Sequence, residues 1–313
     1  MSNLQKALES GKFAITAEMA PPKGVDFSHQ MSVVEQLRGK VEACNVTDYQ
    51  SSSLKASSLG LCIMIKQAGM EPVLQMTGRD RSRMAIQGDF MDAAAFGIEN
   101  ILALTGDHPT VGDCPESKPV YDLDSVGILR AAVQLMEGHD CGGNELVGNP
   151  PYYYLGASVT PVYEPVELQL IKMKKKIDAG AKFFQTQGVY EAEPMKPFME
   201  LAEKYGVYLM AGIIPLKTAA MAKYMSNNVP GIRVPQDQID RLNAAKNNGL
   251  PEGFDPKDKD VKKKQSKNQE EEGIVMAAEF LAEIKEKGLA HGAHIMAIGA
   301  EENVPKILEK AGF

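Results

Sequence analysis

Cysteine is scarce in this chain and never clustered: Cys44, Cys62, Cys114 and Cys141 lie far apart, with no CxxC pair. That spacing fits neither a disulfide framework nor a zinc or iron–sulfur centre held by this chain alone. No apolar run reaches membrane-spanning length, and residues 1–11 carry no signal-peptide core. A soluble, cytoplasmic protein with no membrane partner is therefore expected. The net charge is −7 with no aromatic-studded basic patch, which argues against nucleic acid. No GxGxxG follows a strand-like run and no GxxxxGK[ST] occurs, so neither a Rossmann site nor a P-loop is supported. His139-Asp140-Cys141 and His291-x-x-His294 are the ligand-like clusters. Each lacks further ligands nearby, so both are read as loop or surface residues and no metal site is expected.

What is present is rhythm. The 313 residues are 44% hydrophobic, enough for a substantial core. Short apolar runs bounded by Gly, Pro or polar residues fall at 13–19, 43–49, 71–77, 100–106, 152–160, 182–187, 207–215 and 293–299, as buried parallel strands should. Amphipathic segments lie between them at 28–39, 55–69, 82–97, 124–137, 164–179, 191–205, 217–227 and 273–288, with a last helix at 302–311. Ala179-Gly180-Ala181 has the small residues of a helix C-cap turn. Eight such units favour a single-domain α/β fold over residues 1–313, a (β/α)8 TIM barrel, over a doubly wound sheet. Residues 249–272 break the pattern. They are polar, charged and poor in large apolar side chains, and they read as an exposed excursion between helical pieces at 236–247 and 273–288.

A barrel gathers its reactive groups where the strands end. Glu18 sits at such an end, just before Pro21-Pro22, which cannot continue a paired strand. A carboxyl beside apolar Met19 and Ala20 suits a general acid; a salt-bridged rim residue is the alternative. Thr47-Asp48-Tyr49-Gln50 follows the second strand, and Gln75 to Arg81 follows the third. Thr77, Gly78 and Arg79 suit phosphate through hydroxyl, backbone N–H and guanidinium donors, while an ion-pair cluster of Arg79, Asp80, Arg81 and Arg83 is equally compatible. The fourth strand ends at Thr105-Gly106-Asp107, where Gly106 permits close approach and Asp107 adds charge. The sixth ends at Gln185-Thr186-Gln187, amides able to read a heterocycle edge.

In chain order, Glu18 with Pro21-Pro22, Val46-Thr47, Thr77 to Arg81, Gly106 to Pro109, Asp178 to Ala181 with Thr186-Gln187, and Gly212 to Pro215 resemble the methylenetetrahydrofolate reductases, flavin-dependent (β/α)8 barrels. The resemblance runs from residue 13 to the C-terminus, apart from 249–272. It implies hydride transfer from reduced flavin to 5,10-methylenetetrahydrofolate, giving 5-methyltetrahydrofolate, with a tetrahydrofolate substrate and a flavin, FAD or FMN, as cofactor. Glu18 matches the general acid. Asp107 matches a carboxylate near both flavin and folate, and Gln187 an amide that contacts folate. Thr47, Gln75, Thr77, Thr105, Gly106, Tyr121, Asp124, Ala157 and Lys176 match further cofactor positions. For Lys176, one face of the Lys172–Lys176 helix run is an equal alternative.

The departures carry information as well. Gln75 to Gly78 stands where well-known bacterial members have His-Leu-Thr-Cys. Thr105 stands where they have an arginine that helps hold cofactor phosphate, which leaves FAD and FMN both open. Ala219 aligns with the stacking phenylalanine of members that use NAD(P)H. Short members from acetogenic and related anaerobes work with a second, iron–sulfur and zinc-bearing subunit. The resemblance therefore leaves the electron donor open between NAD(P)H and a partner subunit or ferredoxin, with the departure at Ala219 favouring the latter, and it implies a homo-oligomer. A flavin-bearing electron-transfer subunit with a vestigial folate site and a pterin-binding methyltransferase barrel are the competing readings.

Overall fold

Each strand is short, apolar and covered on both faces, the condition under which parallel strands assemble. The computed structural model describes residues 1–313. Eight strands close in chain order into a parallel barrel: β1 (Ala14–Met19), β2 (Ala43–Val46), β3 (Pro72–Thr77), β4 (Asn100–Leu104), β5 (Tyr154–Val159), β6 (Phe183–Gly188), β7 (Tyr208–Ile213) and β8 (Gly292–Ile295). The helices α2 (Ser28–Leu37), α3 (Ser58–Gln67), α4 (Arg83–Ala95), α5 (Ser125–Met136), α6 (Val166–Asp178) and α7 (Lys196–Tyr205) link successive strands. Three helices, α8 (Ala219–Asn228), α9 (Gln236–Ala245) and α10 (Lys259–Glu286), separate β7 from β8, and α11 (Val304–Lys310) follows. The (β/α)8 expectation holds, with strands trimmed at their ends.

Alternation along each strand divides the side chains between two environments. Ile15, Ala17, Val46, Leu74, Ile101, Ala157, Leu209 and Ile295 point outward into the main apolar cluster with the helices. The inward residues nearest the strand starts, among them Ala14, Val73, Leu102, Tyr154, Phe183 and Met210, form a second cluster inside the barrel. That cluster is closed from below by α1 (Asn3–Glu9), an element the sequence reading left unassigned. Ser2 caps α1 by accepting from Gln5 N, and the helix inserts Leu4 and Leu8 under the barrel. Tyr154 and Phe183 stack inside at 5.2 Å. The lower half is therefore filled with apolar side chains, and polar groups begin only above it.

The expected excursion at 249–272 needs correction. Its second half is helical: residues from Lys259 onward form the first turns of α10, a single helix of 28 residues. Asp258 starts it, its carboxylate accepting from Asp260 N and Val261 N. Buried amides rather than apolar side chains dock these turns. Gln265 Nε2 donates to Asn247 Oδ1 at 2.9 Å, Asn268 Nδ2 to the carbonyls of Lys246 and Asn248, and Gln269 Nε2 to that of Leu242. The last three of these bonds satisfy backbone carbonyls left open at and just past the end of α9. A composition reading that looks for large apolar residues misses a helix held in this way.

Candidate active site

Parallel pairing in register stacks polar residues in the upper barrel. Glu18 pairs with Asn45 across β1 and β2, and Thr16 with His294 across β1 and β8. All face inward and form one chain of hydrogen bonds. Asn45 Nδ2 donates to Gln185 Oε1 at 2.7 Å, and Gln185 Nε2 donates to Thr16 Oγ1 at 3.2 Å. Thr16 Oγ1 lies 2.9 Å from His294 Nδ1, and His294 Nε2 lies 3.4 Å from Glu18 Oε2. Since Thr16 already accepts from Gln185, its own proton is free to point at Nδ1. In that orientation Nε2–H of His294 is the donor to Glu18.

Glu18 is 8% exposed at the top of this chain. Two more amides hold it: Gln75 Nε2 donates to Oε2 at 3.2 Å, and Gln50 Nε2 to Oε1 at 3.3 Å. No Lys or Arg pairs with it, and the one ion-pair partner within reach is His294, at 3.4 Å and charged only when its ring is protonated. One other expectation is corrected here. His294, read as a loop or surface residue, is 2% exposed on β8 inside the barrel. Gln75, matched to a cofactor position, also directs its amide nitrogen to Glu18.

The β3 end is an ion-pair cluster, the alternative to phosphate binding left open by the sequence. Buried Asp48 receives Thr77 N at 2.9 Å, Thr77 Oγ1 at 2.8 Å and Arg81 Nη1 at 2.6 Å on one oxygen. Its other oxygen accepts from Ser58 Oγ and Arg81 Nη2, both at 3.1 Å. Arg81 also reaches Asp89 at 2.7 Å. Burial disfavours the Arg81 charge, but Asp48 and Asp89 more than offset it and hold the guanidinium protonated. Arg79 is buried as well, pairing with Asp80 at 2.8 Å and donating to the carbonyls of Asp107 at 3.3 Å and Tyr49 at 3.2 Å. These guanidiniums are neutralised and serve to tie three loops together.

The remaining residues matched to the cofactor lie along the β2, β4, β5 and β6 side. Thr47 Oγ1 is a buried hydroxyl without a protein partner. Thr105 and Asp107 are exposed at the rim. Gly106, at φ +91°, sits over Thr77 and Arg79; a Cβ there would lie 3.1 Å from the Cβ of each. Tyr121 donates its hydroxyl to Gly106 O at 3.1 Å, and Asp124 caps α5 by accepting from Gly127 N at 2.8 Å. Half-buried Lys176 donates to Ser158 O at 2.6 Å; burial, then Lys172, pull its pKa down to about 8 against Asp124. Ala157 does not reach the mouth, because its side chain is fully buried in the outer apolar cluster. Gln187 is half-buried at the end of β6, its Oε1 accepting from Gly188 N at 3.3 Å. Ala219 is buried at the start of α8, in the cluster with Ile214 and Leu216, and offers no ring. A separate cavity of about 190 Å³ lies outside the barrel between β7, α9 and α10 and does not include Glu18.

Sequence reasoning missed Thr16 and Asn45, noted Gln50 only within the segment after the second strand, and placed His294 in a cluster read as surface. The period-two alternation of β1, which carries Glu18 and Thr16 on one face, was the available signal for the barrel interior.

A closed barrel whose upper interior converges on one buried carboxyl is the architecture of a (β/α)8 enzyme-like protein with its site at the strand C-termini. The family model of methylenetetrahydrofolate reductase matches residues 3–312, and the chain belongs to that family. It is 25% identical over 278 residues to methylenetetrahydrofolate reductase 2 of Schizosaccharomyces pombe, covering 86% of this chain but 40% of that protein. The chain thus spans less than half the length of this yeast relative. With the 5,10-methylenetetrahydrofolate reductase of Pectobacterium carotovorum subsp. carotovorum it shares 26% identity over 230 residues, 72% of this chain and 71% of the relative. Among solved structures, an uncharacterized Clostridium thermocellum protein that binds two copies of 5-methyl-5,6,7,8-tetrahydrofolic acid superposes with a TM-score of 0.60. It covers 98% of this chain and 97% of its own at 13% identity, a likeness of fold.

Proposed function

We propose that this chain reduces 5,10-methylenetetrahydrofolate to 5-methyltetrahydrofolate with a bound flavin, Glu18 serving as the general acid. Family membership supports the reaction, and the observation that carries the residue assignment is the buried Glu18 carboxyl at the mouth, free of any Lys or Arg partner. The mouth suits a flavin in its polar groups. Thr47 Oγ1 is buried and unpartnered, Thr105 and Asp107 are exposed beside it, and the Lys176 ammonium suits a phosphate. When bound, reduced flavin supplies the hydride.

The protein's own work is then proton transfer, charge and position. Glu18 delivers a proton to N10 of the folate, the N10–methylene bond breaks, and a cationic iminium forms at N5. Hydride addition to the methylene carbon of that iminium completes the methyl group. His294 and Gln75 fix one Glu18 oxygen from behind. The Asp107 carboxylate favours the cation by Coulomb attraction. Gln187 meets the folate with its amide, and Gln75, bonded to Glu18, acts on the acid.

Electrons arrive through a partner protein or ferredoxin rather than by direct nicotinamide binding; the buried methyl of Ala219, where a stacking ring would be needed, supports this. The deciding experiment is Glu18→Gln. The variant is expected to keep its flavin and to be reduced normally by an artificial dye. Its folate half-reaction should fall about 10²–10⁴-fold, the contribution of a positioned acid. Full folate turnover in Glu18→Gln would overturn the assignment.

A further inference from the structure

Gln50 reaches Glu18 from a loop whose backbone is held where L residues rarely go. Tyr49, Ser51 and Ser52 all have positive φ, at 47°, 53° and 54°. Such a run persists only where surrounding structure over-determines it, and it is a pointer to function. Four contacts hold this one. Arg79 Nη2 donates to Tyr49 O at 3.2 Å, and the Arg81 guanidinium lies over the Tyr49 ring at 5.9 Å. Leu54 N donates to Asp113 Oδ1 at 2.9 Å. Gly112 passes so close beneath Ser52 that a Cβ there would sit 1.9 Å from its carbonyl oxygen.

The outcome of this arrangement is a single directed contact, Gln50 Nε2 to Glu18 Oε1 at 3.3 Å. His294 and Gln75 both hold the other oxygen, so Gln50 is the side chain that governs Oε1. We propose that Gln50 is a positioning residue for the Glu18 acid, and that the loop from Thr47 to Ser53 is built to present it. This rests on the reading of Glu18 as the proton donor to folate. A carboxamide suits the place because it carries both a donor and an acceptor. It keeps a partner for Oε1 whether or not Glu18 holds its proton, and it brings no charge of its own.

The test separates the two half-reactions. Gln50 is exposed at the mouth, so Gln50→Leu and Gln50→Asn should fold. Both should bind flavin and be reduced by an artificial dye within about twofold of the parent, because Glu18 takes no part in that step. Their folate half-reaction, followed by stopped-flow reoxidation of the reduced flavin, should slow about ten- to a hundredfold, the scale of losing a fixed reactive geometry. Gln50→Asn keeps the amide but is one methylene short, and it should fall with Gln50→Leu. An unaltered folate half-reaction in Gln50→Leu, beside a silent Glu18→Gln, overturns the proposal while leaving the acid assignment standing. Equal losses in both half-reactions also overturn it, since they mark a scaffold and nothing more. Full folate turnover by Glu18→Gln removes the acid assignment and this proposal together.

Discussion

Lys176 is the residue whose charge sits least comfortably. Its ammonium meets one carbonyl, that of Ser158, and burial, with Lys172 adding to it, brings its pKa down to about 8 from an ordinary 10.5. Between those two values the unfolded chain holds a proton that the folded chain has released. The stability of the cofactor-free protein should therefore rise with pH through that window. Below it the buried charge weakens the fold, and above it the penalty is gone. Lys176→Met should flatten the rise, as measured by chemical denaturation of cofactor-free protein at pH 8 and pH 10.5. If the ammonium meets a phosphate, adding flavin should remove the same rise from the parent. The sequence marked Lys176 but left its setting open, since one face of a lysine run and a cofactor contact look alike until β5 is placed beside it. Glu18 was legible for the opposite reason: a charged residue at the end of an apolar run is itself a signal. Its partners were not, because Gln50 lies 32 residues away and His294 lies 276 away. Both contacts depend on barrel closure, which no local pattern encodes.

At the scale of elements, the least legible piece is also one of the most consequential. The helix α1 is short and its apolar residues few, so no periodicity announced it, yet Leu8 is 2% exposed inside the barrel floor. Leu8→Ala should cost about 2–5 kcal/mol of stability, the usual range for emptying a packed leucine site. Urea denaturation monitored by circular dichroism would measure it, and the folate half-reaction per folded molecule should be unchanged because Glu18 sits well above that layer. The first turns of α10 show a different limit. Charge blocks rich in Lys, Gln and Glu are compatible with helix as well as with solvated loop, and the choice was made by Gln265, Asn268 and Gln269 finding oxygen acceptors at and just past the end of α9. Tertiary partners decided the element. The eight strands needed no such help, because each is a short apolar run with a turn at either end.

For the molecule as a whole, the eight-stranded barrel follows from repetition alone, and no helix is long and apolar enough to cross a membrane. Electron supply is the property that belongs at this scale. On the proposed function, with Ala219 buried where a ring would be needed, NADH added to the isolated chain should bleach its bound flavin far more slowly than an artificial dye does. Anaerobic absorbance at the flavin band follows both, and rapid bleaching by NADH would count against supply through a partner. Where the sequence and the folded chain part company, the cause is consistent: side chains that recognise amides, carbonyls and carboxylates across the barrel give no pattern along it.

The apolar floor beneath the polar layer has one more implication. A vessel stoppered at its base by leucines and aromatic rings has a single doorway, so every visitor must back out along the route by which it came. On the proposed function, a folate and any small-molecule reductant would have to take turns at that threshold, whereas an electron-carrying protein need not cross it.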